Sequence, residues 1–381
     1  MSACPRTLAW VAFVVTCLVC IALGPATAAR AESLSGATAS IPAASVVPAV
    51  AVIPAAGVVP DVSVVPVRTI ARVPTLTRVL DAPQAPSPRS HRLDVLSYNV
   101  HGLHGIAAKD NPKKRAPLIG EMIAERYSLA LLQEDFEHSG KIIKGIGTRP
   151  RGYFRGNGST VKAGIGQRFG QILLWLPAKV FLGLDIPHGS GLTTIAFQKD
   201  GFTSRRLVRK PFRVCEGVFS GKNDCLAAKG FLGVRLTGPD GIELDVYNTH
   251  LDARGNDPNR GIRREQLSHL AAAIRQYSGE RAVIVAGDFN TRRERPKDNF
   301  MLRGFQTGLG LRDSLARRDG SWPRGSDVDY ILYRSGTGTR LELDGDADAI
   351  GEDADFRWRD GSKRLSDHPA LFARMRVTPQ P

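Results

Sequence analysis

Residues 282–290, Ala-Val-Ile-Val-Ala-Gly-Asp-Phe-Asn, form an apolar run that stops on a carboxylate and an amide. A buried strand that delivers Asp288 and Asn290 at its end strips both of water, so both need partners there. The pattern recurs. Apolar runs end at Asn99, at Gln133-Glu134 and at His250 with Asp252, and Ser366-Asp367-His368 precedes a further apolar run. Strand ends from distant parts of a chain can converge on one edge of a layered fold, where loops on a rigid scaffold carry function.

The elements between these landmarks alternate in period. Leu93 to Val100 reads as a strand, Pro112 opens a helical stretch over 118–126, and 129–132 is a buried strand. Residues 140–170 are Gly-rich and basic and read as loop. Ile172 to Leu184 is strongly apolar, and 191–197 is a strand. Residues 231–236 and 242–249 form a strand pair around Gly238-Pro239-Asp240-Gly241. Residues 263–277 have helical spacing, 282–286 and 330–332 are strands, and 369–372 closes the set.

The first ninety residues differ from the rest. Arg6, an apolar stretch from Leu8 to Leu23 and small residues up to Ala31 have the layout of a secretory signal over 1–31, cleaved after Ala28 or Ala31. The alternative is a retained anchor, for which the stretch is shorter than the ~20 residues of a spanning helix. Residues 32–90 are rich in Ala, Val and Pro, with prolines at 42, 48, 54, 60 and 66. This hexad repeat is too short for a solenoid, and its prolines remove ladder donors, so it reads as a semi-extended linker. The folded domain is expected over 91–376. All but 6 of the 52 Lys and Arg, and all but 3 of the 37 Asp and Glu, lie beyond residue 90, leaving that part at +12. Such a surplus favours phosphates, nucleic acid or acidic lipid surfaces. Its two cysteines, Cys215 and Cys225, are expected to pair in an exported protein.

Carboxylates, two Asn and two His without a cysteine nucleophile point to water chemistry. Hard oxygen donors such as Glu134 and Asp367 suit Mg²⁺, Mn²⁺ or Ca²⁺. Paired Asp and His beside such an ion can activate water, and His and Asn can donate to charge developing on a phosphoryl oxygen. The implied reaction is hydrolysis of a phosphate ester.

Tyr98-Asn99, Leu132-Gln133-Glu134, Asn248-Thr249-His250-Leu251-Asp252, Gly287-Asp288-Phe289-Asn290, Asp329-Tyr330-Ile331 and Ser366-Asp367-His368 occur in this order. The chain thereby resembles the endonuclease/exonuclease/phosphatase superfamily across residues 93–374. The resemblance implies an α/β fold, a four-layered α/β sandwich with two central, mostly antiparallel sheets flanked by helices. It also implies Glu134 as main metal ligand with Asn99 beside it, and Asp367 as a further ligand. His368 becomes general base, oriented by Asp329 or by Asp327. Asp288 positions the attacking water, and Asn290 and His250 stabilise the transition state.

The substrate is less legible. Ser190-Gly191-Leu192 and Lys229-Gly230-Phe231 resemble the neutral sphingomyelinase branch, and Ile172 to Leu184 offers a possible membrane contact. Asp252 departs from that branch, which usually has Gln there. Arg205, Arg206, Arg209, Lys210 and Arg213 in one loop, and Arg292, Arg293, Arg295 and Lys297 after the Asp-Phe-Asn motif, suit an exported nuclease instead. An inositol-phosphate phosphatase has no specific signature here, and a non-catalytic binding protein would not need every motif position filled. Nothing in the sequence calls for an obligate protein partner.

Overall fold

Two strand–helix–strand units with parallel pairing organise the domain. The structure, a computed structural model, describes residues 89–380 apart from 103–110, 125, 137, 149, 157–188, 200, 216–226, 318, 326 and 351–355. The expected signal and nearly all of the expected linker lie outside the described residues, as do Ile172 to Leu184 and Cys225. Cys215 is disulfide-bonded.

β1 (His91–Asn99), α1 (Pro112–Ile123) and β2 (Leu129–Gln133) form the first unit, with β1 and β2 parallel. Then come α2 (Ser139–Ile146), β3 (Gly152–Arg155), β4 (Thr193–Ala196), β5 (Thr203–Pro211) and β6 (Gly230–Thr237). β7 (Glu243–His250), α3 (Asp257–Ser278) and β8 (Ala282–Asp288) form the second unit, again parallel. α4 (Pro296–Leu309), β9 (Arg312–Asp313), β10 (Asp329–Arg334), β11 (Thr339–Leu343), β12 (Asp348–Ala349) and β13 (Leu371–Pro379) complete the described elements. One sheet runs β11-β13-β1-β2-β4-β3, with β12 on β13; the other runs β5-β6-β7-β8-β10-β9. The pairings other than β1/β2 and β7/β8 are antiparallel.

Alternation along the strands builds the layers, because successive side chains leave a strand on opposite faces. Leu93, Val95, Leu129 and Leu131 of one sheet meet Leu244, Val246, Ala282, Ile284 and Ile331 of the other in the central core. The opposite face of β1 and β2 (Leu96, Tyr98, Ala130, Leu132) packs on Ile119 and Ile123 of α1 and Ile142 of α2. The opposite face of β7 and β8 (Tyr247, Val283, Val285) packs on Leu267, Leu270 and Ile274 of α3 and Leu302 and Phe305 of α4. The result is the expected four-layered α/β sandwich.

Helix starts follow local chemistry. Asn111 accepts from the Lys113 N–H with Pro112 opening α1, and Asn256 accepts from the Asn259 N–H at the start of α3. Several expectations need correction. Residues 140–170 contain most of α2 and all of β3 rather than continuous loop. Gly145 serves helix contact instead: a Cβ on it would sit 2.0 Å from the Pro117 carbonyl oxygen, as one on Gly120 of α1 would from that of Ile142. The helix expected over 118–126 spans 112–123, and the strand expected at 369–372 runs from 371 to 379. Arg205 to Lys210 lie on edge strand β5, not in a loop, and α4 has no counterpart in the sequence reading.

Candidate active site

The strands that build the central core change character at one end. On the inward parity of β1, Leu93 and Val95 give way to Ser97 and Asn99; on β7, Leu244 and Val246 give way to Asn248 and His250; on β8, Ala282, Ile284 and Ala286 give way to Asp288. Both parallel units therefore put their carboxyl-end polar groups on one edge of the inter-sheet space, the position where ligands bind in α/β sheets. Beneath it a polar bridge joins the sheets. Gln133 Nε2 donates to Asn248 Oδ1 at 2.9 Å, and Asn248 Nδ2 donates to the carbonyls of Leu132 and Thr193 at 3.0 Å each.

Register places three groups side by side on the second sheet, since Asp288 pairs with His250 on β7 and with Asp329 on β10. Gly287 makes the close approach possible. Its φ is +146°, and a Cβ there would lie 1.9 Å from the Thr249 carbonyl oxygen. Asp288 is buried; its Oδ1 accepts from the Asn290 N–H at 2.8 Å and its Oδ2 from Asn99 Nδ2 at 3.0 Å. Burial and the neighbouring Asp329 carboxylate push its carboxyl up to about 7, against the pull of His368 and Lys229.

His368 comes from the loop before β13. Its Nδ1 lies 2.8 Å from Asp329 Oδ2, and its Nε2 faces Asp288 Oδ2 at 3.9 Å. Asp327, the other candidate for this role, is exposed and paired with Arg292 at 3.2 Å. Burial opposes an imidazolium at His368, but Asp329, Asp288 and Asp367 outweigh it and raise the ring to about 11. His250 behaves in the opposite way. Burial, with Lys229 and His368 nearby, holds it well below the usual imidazole range, so it is neutral. Its Nε2 faces Asp288 Oδ2 at 3.5 Å and Glu134 Oε1 at 3.8 Å.

The residues expected to ligate a metal stand on the side of the first sheet. Glu134 follows β2 in a left-handed conformation (φ +57°), and its buried Oε2 has no hydrogen-bond partner. Asp367 is more exposed, with Oδ1 3.2 Å from His101 Nδ1; the same nitrogen lies 3.9 Å from Glu134 Oε2. Asn99 uses both ends of its amide, donating to Asp288 and accepting from the His101 N–H at 3.0 Å. Buried Arg115 of α1 donates to the carbonyls of Val100, His101 and Leu365, and Ser366 Oγ donates to the Asn99 carbonyl at 2.6 Å. These bonds clamp the loop after β1 to the loop that carries Asp367 and His368. An orphaned carboxylate oxygen with a second carboxylate nearby, and no thiolate, fits a hard divalent cation. Among the described residues Asp288, Asp329 and His368 also converge, with ligand atoms within 4.8 Å of one another. The 2.8 Å bond inside that trio gives it the geometry of an oriented base.

All eight expected residues thus reach one edge. Asn290, at φ +49°, donates through its backbone N–H to Asp288 and through Nδ2 to the Leu251 carbonyl at 2.9 Å. Asp252 is buried and held by Gln266, whose Nε2 donates to its Oδ1 at 2.8 Å, so it is structural. Two groups exceed the sequence reading, and His101, whose place just after the Asn99 strand end already pointed to the mouth of the site, joins them. Lys229, singled out there only within a motif, is buried, donates to the Leu251 carbonyl at 2.9 Å and acts on both Asp288 and His250. His101 stands between two carboxylates. Asp135 is buried and pushed up to about 6 by that burial, with Thr193 and Arg155 opposing. The sign for Asp135 was present, as a third consecutive polar residue after an apolar strand.

The model of the endonuclease/exonuclease/phosphatase family matches residues 96–368, a span that includes every one of these groups. The chain belongs to this family. Within it, the chain is 30% identical over 208 residues to a sphingomyelinase of Mycobacterium tuberculosis and equally to one of Mycobacterium bovis. The match takes in 51% of this chain but 39% of each relative, so the chain spans well under half of their length. Among solved structures, a beta toxin of Staphylococcus aureus superposes with a TM-score of 0.50 at 17% identity, over 74% of this chain and 99% of that one. A mutant of the same toxin with bound magnesium ions gives 0.50 at 15%. At such identities the likeness concerns the family fold.

Proposed function

We propose that this protein is a metal-dependent phosphodiesterase that hydrolyses the head-group phosphodiester of a phospholipid of the sphingomyelin type. The reaction class rests on one arrangement: His368, tied through Nδ1 to Asp329, turns its free Nε2 toward Asp288. The substrate class rests on the 30% identity to mycobacterial sphingomyelinases.

Glu134, Asp367 and the carbonyl of the Asn99 amide would hold the cation. A divalent ion held there would supply positive charge against that of the phosphate and would oppose the hold of Asp367 on the His368 proton. His368 accepts the proton of the attacking water at Nε2, and Asp329 stabilises the imidazolium that forms; as the water oxygen bonds to phosphorus, the P–O bond to the lipid alcohol breaks and the leaving oxygen takes up a proton from solvent. Asp288 orients that water, itself fixed by Asn99 and the Asn290 N–H. His250, held neutral, and Asn290 donate to the charge that develops on the phosphoryl oxygens. The secretory pattern of residues 1–31 supports an exported protein. None of the described helices is long and apolar enough to cross a membrane.

A second reading, an exported nuclease, is supported by Arg205, Arg206 and Arg209 standing exposed on edge strand β5. The other basic cluster lends it less. Arg293 is buried against Asp313 at 3.1 Å, Arg292 pairs with Asp327 and Lys297 with Asp257 at 3.3 Å. Side-by-side assays with Mg²⁺ on sphingomyelin vesicles, plasmid DNA, RNA and inositol phosphates test the proposal. Release of phosphocholine well above turnover of the other three is expected. Faster cleavage of DNA or RNA would replace the lipid substrate with a nucleic acid.

A further inference from the structure

Phe300, on the second turn of α4, is 83% exposed, an unusual setting for an aromatic side chain. It stands at the mouth of a groove of about 1280 Å³ between α3 and α4. The apolar floor is Leu267 and Ala271 of α3 with Met301 and Phe305 of α4. Gly261, Ser268 and Gly304 carry little or no side chain along its walls, which keeps the groove wide. The rim is basic. Arg264 and Arg303 are exposed, and among the described residues neither makes an ion pair. Asp257, the carboxylate on this rim, is consumed by Arg260 and Lys297.

Position adds a second argument. α3 starts seven residues after His250 and α4 eight residues after Asp288, so both helices begin at the edge that carries the active-site groups. An apolar groove with a protruding aromatic residue and uncompensated arginines suits a surface that is apolar beneath and negative at its face.

We infer that Phe300 and the α3/α4 groove dock the protein on an anionic phospholipid bilayer, with Phe300 inserted among the acyl chains and Arg264 and Arg303 at the phosphate level. Such docking goes beyond the phosphodiesterase reading, because it needs no hydrolysable lipid.

The full-length protein is sedimented with phosphatidylcholine vesicles with and without phosphatidylglycerol, all lacking sphingomyelin. Phosphatidylglycerol is expected to strengthen binding, and Arg264→Glu with Arg303→Glu to weaken that gain by about tenfold or more. Phe300→Trp supplies a direct reading, since tryptophan at 300 should gain quenching by brominated phosphatidylglycerol beyond the baseline that Trp10, Trp175, Trp322 and Trp358 set in the wild type. Thermal melts of each variant confirm folding without reference to activity. Unchanged binding by a folded double arginine variant, or absence of added quenching in Phe300→Trp, would overturn the inference. So would self-association that Phe300→Ser abolishes while leaving vesicle binding intact. Failure to hydrolyse any phospholipid would refute the catalytic proposal alone.

Discussion

His368 Nδ1 and Asp329 Oδ2 lie 2.8 Å apart, joining a loop near the C-terminus to the start of the strand beside β8. The bond commits one ring nitrogen and leaves the other for chemistry, as in sites where a carboxylate fixes the tautomer of a catalytic imidazole.

Asp329→Asn should therefore lower kcat on bis-p-nitrophenyl phosphate by roughly 10²–10⁴-fold with little change in KM, the range associated with a misassigned base. Asp327→Asn, which only loses an exposed partner of Arg292, should stay within about twofold of wild type, as exposed pairs contribute little. Equal losses in both variants would return the orienting role to an open question.

Asp288 is held in a form that costs stability. Its carboxyl is raised from an ordinary 3.8 to about 7 by burial and by Asp329. Between those values the folded state binds more protons than the unfolded state, so this group makes stability fall as pH rises. Asp288→Asn should abolish activity yet melt higher than wild type in chelator at pH 8, by roughly 1–2 kcal/mol, with the difference shrinking toward pH 4. A variant that melts lower at pH 8 would contradict this electrostatic account.

Glu134 carries the orphaned buried oxygen assigned to the cation. Chelation with EDTA should remove activity, and Mg²⁺ or Mn²⁺ should restore it. Mg²⁺ should also raise the melting temperature of wild type, since a ligand of the folded state stabilises it. Glu134→Gln should lose both responses, with at least ~100-fold weaker activation. Full activity in chelator would remove the metal from the mechanism.

Arg115 is remote from the proposed chemistry but clamps Val100, His101 and Leu365. Arg115→Met should destabilise by roughly 2–4 kcal/mol, because buried carbonyls lose their donors. The loops bearing His101 and Asp367 should then loosen, raising the Mg²⁺ concentration for half-maximal activity. Denaturant unfolding and a metal titration measure the two effects.

Much of this site could be read before any coordinates, for a physical reason. The inward parity of β1, β7 and β8 changes from aliphatic to polar within two residues, and that switch is written in the order of the amino acids. Register was not. Nothing in the sequence states that Asp288 pairs with both His250 and Asp329, or that Asp327 turns outward to Arg292. Gly145 misled because glycine marks a turn and a close helix contact with the same letter. β5 was missed because its arginines face solvent on a sheet edge, where a strand and a basic loop have similar composition. Lys229 gained its meaning only from burial, which brings its charge to bear on Asp288 and His250.

Phosphodiester hydrolysis at this edge depends on His368. It is measured by comparing wild type and His368→Ala on bis-p-nitrophenyl phosphate with saturating Mg²⁺, with thermal melts confirming that both are folded. Clear turnover by wild type and a loss of at least ~10²-fold in the variant are expected. Near-wild-type hydrolysis by folded His368→Ala would contradict this dependence.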